Sequence, residues 1–141
     1  MLKNIPKCLS PDLLKVIMEM GHGDEIVIAD GNFPAASHAR NLIRLDGLHI
    51  PELLEALLTL MPLDDYANPS IFYMMYGPEV STPPIWTEYN DILKKTGNSN
   101  VIPTKVERFK FYDQAKQAYA IVATSEQALY ANIILKKGVI T

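Results

Sequence analysis

Two hydrophobic periods follow one another at the start of the chain. Leu13, Leu14, Ile17, Met18 and Met20 recur at roughly helical spacing. Ser10 ahead of them is a good N-cap, Pro11 suits the first helical position, and Asp12 complements the helix dipole. Gly21 supplies a stop. After a short loop, Ile26, Val27, Ile28 and Ala29 form a continuous apolar run, the signature of a strand buried on both faces. It ends in a cluster of turn formers, Asp30-Gly31-Asn32-Phe33-Pro34.

The alternation continues downstream. A second helix is expected from Pro51 through Leu53, Leu54, Ala56, Leu57 and Leu60 to a stop at Pro62. Residues 71–76 read as a strand, and Pro83 and Pro84 open a third helix with Trp86, Tyr89, Ile92 and Leu93 on its apolar face and Gly97 at its end. A short strand over 106–108 precedes a helix through Phe109, Tyr112 and Ala115, and 119–123 and 132–135 read as the last two strands. Strands interleaved with helices predict an α/β fold, one sheet flanked by helices. No repeat or composition shift divides the chain, so residues 1–141 read as a single domain.

Composition narrows the class. With 48% apolar and 21% charged residues the chain reads as a globular domain, and 141 residues suffice for a sizeable core. A net charge of −3 argues against a nucleic-acid partner. No segment approaches the roughly 20 apolar residues that cross a bilayer, and the N-terminus lacks the apolar run of a signal peptide. The single Cys8 has no internal disulfide partner, so a reducing, cytoplasmic setting is expected. Cys8 is weighed as a thiol nucleophile, but with no histidine near it in sequence it reads as a small hydrophobe.

Candidate chemistry centres on two residues. Open α/β sheets bind ligands beyond the carboxyl ends of their strands. Asp30 stands at such an end, with Gly31 beside it to admit a ligand, although aspartate also commonly caps turns. His22 lies between Gly21 and Gly23 directly after the first helix. Histidine, with an ordinary pKa of about 6.5, suits proton transfer at neutral pH; the competing role is an imidazole set on the last helical carbonyls. His38 and His49 read as structural or solvated. No metal-ligand spacing, phosphate loop, dinucleotide fingerprint or nucleophile elbow is present, so no metal and no cofactor is expected.

The residues also carry a resemblance. The segment Leu-Lys-Val-Ile-Met-Glu-Met-Gly-His-Gly-Asp-Glu-Ile-Val-Ile-Ala-Asp, ending at Asp30, strongly resembles the N-terminal signature of the fucose branch of the RbsD/FucU family. Further matching blocks follow in order: Asn32 to Ala35, Ile43 to Gly47, Thr87 to Tyr89, Glu107 to Tyr112, and Tyr130 to Val139. Members of this family interconvert the cyclic forms of free monosaccharides. The resemblance implies a single RbsD-like domain acting as an isomerase, with His22 as catalytic proton donor and Tyr112 as a second catalytic candidate. It implies sugar contacts at Asp30, Arg108, Tyr130, Ala131 and Asn132. The proton acceptor stays open among Asp30, Tyr112 and a held water. L-fucose is the favoured sugar. D-ribose is the alternative, because Ala131 stands where ribose pyranases usually carry alanine and many fucose mutarotases glycine. A non-catalytic sugar-binding accessory protein is the rival from another class. The family's habit further implies a homo-oligomer, often a ring-shaped decamer, with sites near subunit contacts.

Overall fold

The Ser10 hydroxyl accepts a hydrogen bond from the Leu13 amide at 3.2 Å and so starts helix α1, Pro11–Glu19, as its chemistry predicts. The helix ends differently from expectation. Met20 leaves it in an extended conformation with its N–H still bonded to Val16, and the left-handed position falls later, at Gly23 with φ of 85°. The computed structural model describes residues 1–66, 68–75, 77 and 81–141. The expected strand over 71–76 is observed as β3, Ile71–Met75, and its last position, Tyr76, lies outside the described residues.

The remaining elements are β1 (Glu25–Ala29), α2 (Ala35–His38), β2 (Leu42–Leu45), α3 (Ile50–Leu58), α4 (Pro84–Lys95), β4 (Thr104–Glu107), α5 (Arg108–Gln117), β5 (Ala120–Thr124) and β6 (Ile133–Lys136). Two features differ from the expected pattern. Helix α2 and strand β2 had no clear hydrophobic period, because β2 is an edge strand in which only Ile43 is buried. Arg108 belongs to a helix rather than to a strand. The Glu107 carboxylate accepts the Phe109 and Lys110 amides at 3.1 and 3.3 Å, and this cap turns the chain directly from β4 into α5.

The described residues form a six-stranded sheet in the order β2-β5-β1-β6-β3-β4. It is mixed: β6 runs antiparallel to both its neighbours, β1 and β3, while the other pairs are parallel. Alternation along each strand divides the apolar residues between two faces. Ile26, Ile28, Val122, Ile133 and Leu135 pack with α1, α3 and α4 through Leu13, Leu53, Leu57 and Tyr89. Val27, Ala29, Ile121, Ala123 and Ile134 pack beneath α2 and α5 with Phe111 and Ala115. Burying each of the larger side chains contributes roughly 1.5–3 kcal/mol, which sets the register of the sheet firmly. Among the described residues no helix is long and apolar enough to cross a membrane.

Candidate active site

The topology decides which residues meet. Because β6 is antiparallel, it begins where β1 and β3 end: Ile28 pairs with Ile133, and Tyr73 pairs with the same residue from the other side. Asn132 therefore enters the sheet between the end of β1, which leads into Asp30, and Met74 of β3. Strand β4 ends beside β3, with Met75 paired to Glu107, and so delivers Arg108 to the same edge. One turn along α5 stands Tyr112, whose hydroxyl oxygen accepts a hydrogen bond from Arg108 Nε at 3.1 Å.

These side chains line one pocket of about 440 Å³, with Asp30, Met74, Arg108, Tyr112, Tyr130 and Asn132 around it and Phe33 and residues 127–129 completing its wall. A volume of that order lies within the roughly 300–1,000 Å³ usual for small-molecule sites. Asp30 and Asn132 lock each other. The Asp30 N–H donates to Asn132 Oδ1 at 2.7 Å, and Asn132 Nδ2 donates to Asp30 Oδ2 at 3.0 Å. The other carboxylate oxygen accepts the Asn32 amide at 2.9 Å. Burial raises the Asp30 pKa above the ordinary aspartate value; hydrogen bonds from Asn32, Asn132 and Phe33 oppose the shift without cancelling it. The result is a carboxylate that accepts hydroxyl hydrogen bonds and has a heightened tendency to take a proton.

Tyr130 adopts φ of 61°, an uncommon conformation for a residue with a bulky side chain. Ala131 is fully buried and does not line the pocket; its carbonyl accepts the Tyr89 hydroxyl at 2.6 Å. Behind the wall, buried Glu126 accepts the amides of Ile50, Gln127 and Ala128 at 3.1, 2.9 and 3.0 Å. Burial pushes its pKa up, but those amides outweigh it and hold the carboxyl below the usual range. His49 reaches the same carboxylate at 3.6 Å, which is a structural role. His38 packs edge-on to Tyr112 with ring centroids 5.5 Å apart and bonds the Ser37 hydroxyl at 2.9 Å. Cys8 is partly buried against the core, and burial, with Glu52 adding to it, raises its pKa, opposite to what a nucleophile needs.

His22 is not with the others. It precedes β1 whereas Asp30 follows it, so the length of the strand, roughly 15 Å at 3.3 Å per residue, separates them. At its own end His22 is held with care. Its Nε2 lies 3.0 Å from Asp64 Oδ1; the Asp64 side chain is 3% exposed and the imidazole 46%. The same Asp64 oxygen accepts the Tyr66 amide at 3.0 Å, and the Tyr66 ring lies 5.5 Å from the imidazole. Gly138 makes this packing feasible, since a Cβ there would sit 2.7 Å from the Leu63 carbonyl carbon and 2.9 Å from Asp64 Cα. A carboxylate on Nε2 fixes the tautomer and orientation of the ring and directs Nδ1 elsewhere. Asp64 was invisible in the sequence, because nothing in its local pattern links it to a histidine 42 residues away.

Comparison with known proteins adds a lineage to this geometry. The profile of the RbsD / FucU transport protein family matches residues 3–140. A human protein named fucose mutarotase is 50% identical over 146 residues, spanning 99% of this chain and 94% of its own length. The crystal structure of the fucose mutarotase from Streptococcus pneumoniae, in complex with L-fucose, superposes with a TM-score of 0.95 at 55% identity, covering 99% of this chain and 100% of that one. Bacillus subtilis RbsD, complexed with D-ribose, superposes with a TM-score of 0.74 at 26% identity, covering 94% of this chain and 95% of that one.

Proposed function

The chain belongs to the RbsD/FucU family, and on that premise we propose that it is an isomerase interconverting the α and β anomers of free L-fucose. The observation that carries this reading is a largely apolar pocket on which Arg108, Tyr112, Asn132 and a desolvated carboxylate, Asp30, converge, together with a buried-aspartate–histidine pair that a mere sugar carrier does not need. The likeness to the Streptococcus pneumoniae fucose mutarotase, at a TM-score of 0.95 against 0.74 for the ribose-bound relative, favours L-fucose over D-ribose.

Mutarotation requires a proton on the ring oxygen and the loss of one from the anomeric hydroxyl. The C1–O bond to the ring then breaks, the aldehyde turns about C1–C2, and reclosure yields the other anomer. In our reading His22 protonates the ring oxygen and Asp30 accepts the anomeric proton, each step worth about 10²–10⁴-fold when well placed. Tyr112, whose oxygen already accepts from Arg108, turns its O–H toward a sugar oxygen. Arg108, Asn132 and Tyr130 fix hydroxyls and cover the sugar face, with the buried backbone of Ala131 setting their spacing.

Since His22 and Asp30 sit at opposite ends of β1, one chain cannot bring both to one sugar. The reading therefore includes a homo-oligomer in which a neighbouring copy presents its His22 to the pocket. The exposed apolar residues near each half fit such a contact: Phe109 and Leu129 beside the pocket, Met18 and Ile140 beside His22. A ring-shaped decamer and a cytoplasmic location belong to the same proposal. Saturation-transfer NMR of L-fucose and D-ribose provides the test. Faster anomer exchange of L-fucose is expected, abolished by His22→Ala with binding retained. Acceleration confined to ribose would move the chain to the pyranase branch, and binding without acceleration would leave a sugar-binding protein.

A further inference from the structure

Two aromatic side chains that do not line the pocket are bonded to the segment that forms it. Trp86 and Tyr89 stand three residues apart on α4 and therefore share one face of the helix. Trp86 Nε1–H donates to the Tyr130 carbonyl at 2.8 Å, and the Tyr89 hydroxyl donates to the next carbonyl, that of Ala131, at 2.6 Å. Both donors are buried, at 4% and 0% exposure, and both rings pack on Tyr73 of β3, with centroids 5.0 and 5.7 Å away. Burial drives the Tyr89 pKa far above that of an ordinary phenol, so its hydroxyl stays a donor at every working pH.

The recipients make this pairing informative. Tyr130 has φ of 61°, a conformation that proteins maintain for a bulky residue only where surrounding contacts over-determine it. Two successive carbonyls drawn toward α4 supply that determination. They leave the side chains of Tyr130 and Asn132 on the pocket side, and Asn132 in turn holds Asp30. We propose that Trp86 and Tyr89 are positioning residues for the sugar site, a two-point clamp that holds residues 130–132 in the conformation that binds the sugar. The proposal rests on the reading of this pocket as the L-fucose site.

Tyr89→Phe removes one hydroxyl and leaves the ring, and Trp86→Phe removes the indole donor. Each variant is checked for folding by circular dichroism. The dissociation constant for L-fucose is then read by titration and the exchange kinetics by saturation transfer. The clamp predicts that either folded variant raises Kd and KM for L-fucose by about tenfold, an affinity loss of about 1.4 kcal/mol, with kcat per folded protein changed far less. A merely structural role would lower the melting temperature and the active fraction while leaving KM alone. Trp86 is the single tryptophan and lies edge-on to Tyr130 at 6.2 Å, so wild-type emission should change on L-fucose addition with the same Kd. That measurement holds even if a variant fails to fold. Unchanged Kd and KM in a folded variant, or emission indifferent to bound sugar, overturns the clamp while leaving the isomerase intact. Tighter binding in the wild type than in the variants without any anomer exchange would preserve the clamp and overturn the isomerase. No sugar binding at all would end both.

Discussion

At the scale of single residues, the two carboxylates near the chemistry do opposite things because their surroundings differ. Asp64 is buried at 4% exposure and engages His22 and the Tyr66 amide, so its task is to orient an imidazole. Asp64→Asn keeps the shape but offers an amide that can present N–H to Nε2 and reverse the tautomer. A fall in kcat of about 10²-fold or more, with KM for L-fucose little changed, is expected from saturation-transfer kinetics; an unaffected kcat would remove Asp64 from the mechanism. On the proposed reading, the desolvation that suits Asp30 to accept a proton comes at a cost in stability. Its folded pKa is raised by burial, so the native state binds a proton that the unfolded state has already lost. Stability therefore falls as pH rises from the ordinary aspartate value of about 3.9 through the raised folded value. Urea melts across that window should show this slope in the wild type and not in Asp30→Asn, which is also expected to lose activity by about 10²-fold or more. Identical slopes would contradict the assignment.

Elements, more than residues, were legible in the sequence, and the reason is period. Helices α1, α3 and α4 carry long apolar stripes and β1 a continuous apolar run, so local pattern alone located them. Short pieces escaped: β2 buries one side chain and α2 has four residues, too few to establish a period. The place of Asp30 at the pocket was legible because it ends the most apolar strand. Arg108, Tyr112, Tyr130 and Asn132 were found through family resemblance, since their meeting depends on β6 running antiparallel between β1 and β3, which no local pattern states. Asp64, Met74 and the wall at 127–129 were missed for the same reason. One element-level consequence concerns the loop carrying Asp64. Gly138 lies so close to Leu63 and Asp64 that any side chain must push that loop away from His22. Gly138→Ala should destabilise the fold by about 1–3 kcal/mol in urea melts and lower kcat through displaced Asp64. A fully stable and active variant would show that the loop tolerates the shift and that the His22 geometry is not critical.

On the scale of the whole molecule, the sheet separates the two halves of the proposed chemistry. The pocket opens at the carboxyl ends of the parallel strands, where α/β sheets place their ligands, while the His22–Asp64 pair stands at the opposite end of β1. On the proposed reading a single copy carries both halves and joins neither, and the proposal therefore makes assembly part of catalysis. The most direct test mixes two inactive proteins, His22→Ala and Asp30→Asn, after partial denaturation and reassembly, and follows L-fucose anomer exchange by saturation-transfer NMR. A site shared between copies predicts recovered exchange, because an Asp30-bearing pocket can then meet His22 from its neighbour. Mixed oligomers that form but stay inactive would contradict the shared site and, with it, the role assigned to His22.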